Sequence, residues 1–99
     1  MKKIVATLLA LMLLLSAAAL AEDTSVENIQ SKGTFILGLD DSFPPMGFRD
    51  ENNDIAGFDI DVARVVAQKL GVEFVAQPIA WDSKELELAS GNIDCIWNG

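Results

Sequence analysis

The sequence predicts an α/β domain built on a parallel β-sheet, with strands and helices alternating in the order βαβαβ. A nearly continuous apolar run at residues 34–40 is typical of a strand buried on both faces. Residues 59–70 show the apolar period of an amphipathic helix, and strand-like runs at 72–77 and 93–97 are separated by a second helical stretch. This alternation is typical of right-handed βαβ crossovers, in which consecutive strands of the sheet run parallel.

The first 21 residues are expected to be a secretory signal peptide that does not belong to this fold. A basic start at residues 2–3 precedes an almost entirely apolar stretch, residues 4–15, and residues 19–21 read Ala-Leu-Ala. The apolar stretch is short for a membrane span, and small residues suit signal peptidase. We therefore expect export to the periplasm or the extracellular space with cleavage after Ala21, and an uncleaved N-terminal anchor is the alternative.

The composition after this cleavage disfavours several classes of partner and of chemistry, although acid–base catalysis by carboxylates stays open. The remaining 78 residues carry five basic and fifteen acidic side chains, a net charge of −10, which disfavours nucleic acid and anionic membranes as partners. The sequence has no histidine, the most common metal ligand and general base, and no glycine-rich phosphate-binding motif. Cys95 is the only cysteine, so no internal disulfide can form. We expect no metal, no cofactor and no catalytic residue.

The segments around the first strand are expected to be irregular. Residues 22–32 are polar and are predicted to be a lead-in segment, in which Val26 and Ile29 could dock onto the domain. Pairing of the first strand should stop at residues 41–45, because two prolines there disfavour both helix and sheet. A small hairpin is predicted at residues 46–58, with an Asn- and Asp-rich turn at its tip.

Two helices are expected to follow. Asp59 opens the first, Gly71 ends it, and the inward face is predicted to carry the apolar residues spaced i, i+3, i+4 and i+7, which are Ala63, Val66, Ala67 and Leu70. The second should begin at Asp82, whose spacing to Glu85 is that of a capping box, and run to about Ser90.

A ligand site is expected where the parallel strands end. In open parallel sheets, ligands bind outside the carboxyl ends of the strands, and residues 40–45, 79–82 and 98–99 follow the three predicted strands. These segments offer two aromatic rings, carboxylates and exposed backbone groups, a set that suits a small zwitterion. The candidate ligand-binding residues are Asp40, Phe43, Trp81, Asn98 and Gly99.

Each candidate also has a structural interpretation. Asp40 could form a turn at the end of its strand, Phe43 could cover the edge of the core, and Trp81 could pack against the helix that follows it. Residues 98–99 alone indicate only a turn. Cys95, among apolar neighbours, is expected to be a small buried hydrophobic residue.

Three segments in this order resemble a known family. Residues 40–48 read DDSFPPMGF, residues 57–63 read GFDIDVA, and residues 90–96 read SGNIDCI. Together they resemble the amino-acid-binding proteins of bacterial ABC importers, the family 3 extracellular solute-binding proteins with the type II periplasmic-binding fold. The resemblance extends over residues 33–99.

The resemblance implies two α/β lobes that close around an amino acid, with an ABC permease as the partner. Residues 33–99 would be the N-terminal part of the first lobe, without the second lobe. Phe43 and Trp81 match the aromatic residues that pack on the ligand, and Asp40 matches a position that can meet an amino group. Residues 98–99 match the start of a stretch that holds the ligand's α-amino and carboxylate groups, and the family's carboxylate-binding arginine would follow them.

The expected function is therefore binding of a polar amino acid for import, without bond chemistry. Two alternatives use the same fold. One is a ligand-sensing domain of a larger signalling or cell-wall lytic protein, which a downstream membrane span or catalytic domain would reveal. The other is a periplasmic dehydratase acting on prephenate-like acids, which turnover of such an acid would reveal. A stand-alone protein of 78 residues is disfavoured, since no disulfide or metal stabilises so small a core.

Overall fold

The structure is a computed structural model that describes residues 2–9 and 23–99. Residues 2–9 are helical and exposed. The predicted cleavage position after Ala21 lies outside the described residues. Within the described ranges, no helix combines the length and hydrophobicity needed to cross a membrane.

The predicted lead-in segment contains a helix, α1 (Ser25–Lys32). The helix ends at Gly33, which adopts a left-handed conformation with φ of 84° and donates its N–H to the Ile29 carbonyl oxygen. Of the two residues predicted to dock, Ile29 packs against the core, whereas Val26 remains 48% exposed. The segment is thus a short surface helix attached to the domain through the apolar side chain of Ile29 and through hydrogen bonds of Gln30 and Lys32.

The central sheet confirms the predicted parallel architecture. It consists of the parallel strands β1, β5 and β6 in the order β5-β1-β6, which span Thr34–Leu39, Glu73–Pro78 and Cys95–Ile96. Both edges of β1 are paired, and the face that carries Phe35, Leu37 and Leu39 is buried in the core, whereas Thr34 and Ile36 on the opposite face are only half-buried. Leu37 lies in the middle of this strand, opposite Ala76 and Cys95.

The hairpin is larger than predicted. It is an antiparallel sheet of three strands in the order β2-β3-β4, spanning Ser42–Phe43, Gly47–Arg49 and Ile55–Ala56. The first strand ends at Leu39, before residues 41–45, as predicted. A separate strand, β2, follows it, in which Ser42 pairs with Phe48 and Phe43 with Gly47 before the prolines begin. The Pro44–Pro45 peptide bond is cis and lies in the turn to β3.

Helix α2 (Phe58–Leu70) has the predicted inward face and forms the main core with β1. Gly71 ends the helix in a left-handed conformation with φ of 75°, as predicted. Ala63 and Ala67 are fully buried, and Val66 and Leu70 pack against the same cluster. The buried cluster consists of Phe35, Leu37, Leu39, Ile60, Ala63 and Ala67.

The second predicted helix is shorter and begins later than expected. A 3₁₀ turn, Trp81–Ser83, leads into helix α3 (Lys84–Ala89). The prediction that Asp82 caps this helix is wrong, because Asp82 lies inside the 3₁₀ turn and no side-chain cap hydrogen bond is formed at either start. Such turns commonly precede helices and satisfy the first N–H groups through i→i+3 bonds; here the Ser83 N–H donates to the Ala80 carbonyl oxygen.

Asp94 joins three elements at the start of β6. Its Oδ2 accepts the Ile36 N–H at 2.7 Å, and its own N–H donates to the Ile36 carbonyl oxygen at 2.8 Å. Its Oδ1 accepts from Lys32 Nζ of α1 at 2.6 Å. The acidic residue of the SGNIDCI segment therefore has a structural role, since it binds β6 to β1 and to α1.

Replacing Asp94 with alanine is expected to lower the free energy of unfolding by about 1–3 kcal/mol, because the part-buried Ile36 N–H loses its acceptor. Urea denaturation followed by circular dichroism measures the effect. The control is Glu85→Ala, which removes a carboxylate that is 79% exposed and should change stability by less than about 0.5 kcal/mol. Equal effects of the two substitutions would contradict the structural role of Asp94.

Candidate functional site

The candidate site lies at the carboxyl edge of the central sheet, where three segments follow three parallel strands. Asp40 follows the central strand β1, Trp81 follows β5 after a short connection, and Asn98 follows β6. Adjacent strands are about 4.8 Å apart, so the three segments span roughly 10 Å. That width accommodates a small molecule such as an amino acid.

Asp40 and Asn98 are in direct contact. The Asp40 N–H donates to Asn98 Oδ1 at 3.3 Å, although the two residues are 58 positions apart in the sequence. Asp40 Oδ1 also accepts the Ser42 N–H at 2.9 Å, which is the local turn that its structural interpretation predicts. The structural interpretation of Asp40 is therefore confirmed, and contact of its carboxylate with a ligand stays a prediction.

Phe43 is positioned by the hairpin. It lies in β2 and is 43% exposed, so it is not a buried cover for the core. Two contacts hold the hairpin: the Phe43 carbonyl oxygen accepts the Met46 N–H at 2.9 Å, and Arg49 Nε donates to Asp41 Oδ2 at 2.8 Å. The Phe43 ring is thus carried by a short antiparallel sheet that these two contacts stabilise.

Trp81 starts the 3₁₀ turn and is half-buried. Lys84, one helical turn further on, places its ammonium 5.1 Å from the centre of the Trp81 ring. Lys84 Nζ also donates to the Trp81 carbonyl oxygen at 3.3 Å. Trp81 therefore packs against the following helix, as its structural interpretation predicts, and does so through Lys84.

Gly99 lies against the hairpin. A Cβ atom at this position would overlap the side chain of Met46, so the backbone here approaches the hairpin closely. The Met46 carbonyl oxygen accepts the Asp59 N–H at 3.0 Å, which connects the hairpin to the start of α2. Met46 thus lies between the end of the chain and the main helix.

Within the described ranges the site is an open surface, without an enclosed cavity of ligand size. The same residues include no group of three or more side chains placed to hold a metal ion. Four of the five candidates lie on or beside the same sheet edge, and the hairpin brings in Phe43. The arrangement can offer aromatic packing, hydrogen bonds and a carboxylate to a ligand.

Cys95 is half-buried behind this edge and packs against the core cluster, as expected of a small hydrophobic residue. Burial, with a smaller contribution from the charge of Asp94, raises the pKa of its thiol from 9.0 to about 11.

The raised pKa of the Cys95 thiol leads us to expect two outcomes. Alkylation by iodoacetamide at pH 8 should be slower in the folded chain than in urea, because the thiolate is the nucleophile. The stability contribution of the protonated thiol is complete below pH 9 and is lost as the pH rises towards 11. Cys95→Ala should remove this part of the alkaline destabilisation, and equal alkylation rates in folded and unfolded chains would contradict the burial.

The sequence interpretation missed three residues that shape the site: Met46, Arg49 and Lys84. For two of them a signal was available. Arg49 and Asp41 have opposite charges on facing arms of the hairpin, and Lys84 is spaced i+3 from Trp81. No sequence signal indicates the contact of Met46 with Gly99.

Comparison with known proteins identifies the class to which this fold and site belong. Residues 35–99 match the sequence profile of the bacterial extracellular solute-binding proteins, family 3. The chain belongs to this family, which confirms the resemblance predicted from the three segments.

Two curated relatives illustrate its range. The L-cystine-binding protein TcyJ of Escherichia coli is 30% identical over 84 residues, which make up 85% of this chain and 32% of TcyJ. Cyclohexadienyl dehydratase of Pseudomonas aeruginosa is 29% identical over 98 residues, which make up 99% of this chain and 37% of the enzyme. The chain thus spans about a third of the length of these relatives, and the family includes binding proteins and an enzyme.

Solved structures give the same assignment. Tv2483 bound to L-arginine superposes with a TM-score of 0.76 at 39% identity, over 80% of this chain and 32% of that chain. A substrate-binding protein of an ABC uptake transporter from Streptococcus pneumoniae, with bound histidine, superposes with a TM-score of 0.70 at 48% identity. The match covers 74% of this chain and 30% of that chain. The arginine-bound form of domain 1 from TmArgBP superposes with a TM-score of 0.69 at 39% identity, and the match covers 80% of this chain and 60% of that chain. The described domain therefore corresponds to part of domain 1 of TmArgBP.

Proposed function

We propose that this chain is the first-lobe part of an exported amino-acid-binding component of an ABC importer, and that it binds an amino acid at the carboxyl edge of its sheet. The hydrogen bond between Asp40 and Asn98 carries the proposal, because it joins the ends of β1 and β6. Phe43 and Trp81 lie on segments adjacent to this bond, and Gly99 continues from it.

In this proposal the ligand is held by complementary chemistry on a polar, partly aromatic surface. Phe43 and Trp81 pack on the carbon chain of the ligand, and Asp40 faces an amino group. Asn98 and Gly99 offer polar groups to the ligand's α-amino and carboxylate groups. The arginine-bound domain 1 of TmArgBP supports the idea that one lobe can retain an amino acid, since that structure contains a single domain.

Export and the partner permease are parts of the same proposal. The basic start and apolar stretch of residues 2–15 support a signal peptide, with cleavage after Ala21. Family membership supports a periplasmic or extracellular location and a transporter partner. The ligand would act by favouring the closed arrangement of the two lobes, which the permease recognises.

Isothermal titration calorimetry of the purified chain against a panel of L-amino acids tests this function. One polar amino acid is expected to bind, and Phe43→Ala and Trp81→Ala should each weaken binding about tenfold through loss of aromatic packing. The matched control is Phe58→Ala, which removes an aromatic ring that is 60% exposed on α2, outside the site. Absence of binding by any L-amino acid, or equal effects at Phe43 and Phe58, would overturn the proposal.

A second candidate function rests on the similarity to cyclohexadienyl dehydratase, which extends over 99% of this chain. Incubation with a prephenate-like acid, monitored by ultraviolet absorbance, separates the two functions. We expect no turnover, because the candidate site combines a turn-forming carboxylate with aromatic and amide groups and includes no histidine. Dehydration of the acid by the chain would replace the binding function with the enzymatic one.

A further inference from the structure

The Lys84 side chain lies over one face of the Trp81 ring. Its ammonium lies 5.1 Å from the ring centre and donates to the Trp81 carbonyl oxygen at 3.3 Å. The side chain is only 30% exposed, so the charge is partly withdrawn from water. A cation at the N-terminal end of a helix is not favoured by the helix dipole, which indicates that the contacts with Trp81 keep it there.

The charge of Lys84 is weakly compensated. The nearest carboxylate is that of Glu85, at 3.8 Å, and its side chain is 79% exposed. An ion pair this open to water is strongly screened and contributes little. A ligand near Trp81 therefore experiences a positive field from Lys84, although the chain as a whole is acidic.

A ligand that packs on Trp81 must use the face that Lys84 leaves free. Its side chain would then lie roughly 9–10 Å from the ammonium, with the indole ring between them. That distance is close to the screening length of about 8–10 Å, so the charge interaction through the ring is weakened but not abolished. It opposes the attraction for a cation of Asp40, at the same sheet edge, and of Asp82, next to Trp81. Lys84 also already makes a cation–π interaction with the Trp81 ring, which a cationic ligand side chain would otherwise make.

We propose that Lys84 is a specificity-determining residue that disfavours amino acids with a cationic side chain and favours those with a neutral or acidic one. This inference rests on the proposed function, because it concerns the ligand of the same site. It predicts a ligand preference that differs from the arginine bound in structural relatives, in spite of the net negative charge of this chain that would attract arginine.

The comparison of L-arginine with L-citrulline tests the inference, since the two have nearly the same shape and differ in side-chain charge. Calorimetry at low salt should show tighter binding of citrulline. Lys84→Met keeps the aliphatic stem and removes the charge, so it should shift the affinity ratio towards arginine by about 3- to 10-fold. The same substitution should weaken the binding of L-glutamate. Both changes in affinity should become smaller in 0.5 M salt, a concentration at which the Debye length is roughly 4 Å.

Two control variants test whether the effect is due to the charge of Lys84. Lys84→Arg retains the charge and should leave the arginine-to-citrulline affinity ratio unchanged. Lys69→Met removes an equal charge from the exposed last turn of α2 and should also leave it unchanged. Binding with the same arginine-to-citrulline ratio in the wild type and in Lys84→Met overturns this inference alone. Absence of binding by every amino acid overturns the proposed function, and the inference with it.

Discussion

Replacement of Leu37 by alanine is expected to lower the free energy of unfolding by about 2–5 kcal/mol at 25 °C. Leu37 is completely buried in the central strand, between the flanking strands and beneath α2. Removing a buried leucine side chain costs about 2–5 kcal/mol, because apolar contacts are lost and a cavity remains. A folded unit of this size has a total stability of only about 4–12 kcal/mol, so one substitution removes a large part of it.

The matched control is Leu86→Ala, the same chemical change at a side chain that is 70% exposed on α3. It should alter the free energy of unfolding by less than about 0.5 kcal/mol. Urea denaturation followed by far-ultraviolet circular dichroism compares the two midpoints. Similar midpoints for both variants would contradict the position of Leu37 at the centre of the core.

The strands and the main helix were predictable because burial imposes a period on the sequence. The apolar run of β1 reflects a central strand with one buried and one half-buried face. The spacing of Ala63, Val66, Ala67 and Leu70 reflects a helix with one buried face. Helix α1 gave no such signal, since it buries only part of Ile29. The start of α3 was misplaced because the sequence signature of a cap does not distinguish a 3₁₀ turn from an α-helix.

The location of the candidate site followed from one rule, that the carboxyl ends of parallel strands meet at the same edge. The contacts inside the site did not follow. The bond between Asp40 and Asn98 depends on the register of β1 with β6, which has no local sequence signal. The position of the Lys84 ammonium over Trp81 depends on side-chain rotamers, although the i+3 spacing permits it.

Gly57 shows why the GFDIDVA segment begins with glycine. Its φ of 128° is a conformation that other residues rarely adopt, and a Cβ atom there would overlap the carbonyl group of Met46. This close approach allows two backbone hydrogen bonds of 3.0 Å, from Phe58 N–H to the Pro45 oxygen and from Asp59 N–H to the Met46 oxygen. The glycine therefore joins the hairpin that carries Phe43 to the first turn of α2.

Gly57→Ala is accordingly expected to lower the free energy of unfolding by about 3–5 kcal/mol, from backbone strain together with overlap against a rigid backbone group. Gly33→Ala is the matched control, because Gly33 also has a positive φ, of 84°, but open space where a Cβ would lie. The control should cost only about 1 kcal/mol. Gly33 has the left-handed helical conformation (φ 84°, ψ 6°), whereas Gly57 (φ 128°, ψ 175°) lies in a region that is open almost only to glycine. The difference between the two urea midpoints therefore measures the additional backbone strain at Gly57 together with the overlap with Met46. Equal midpoints would show that the hairpin can move away from α2 at little cost, in which case Phe43 would not be held in place by this contact.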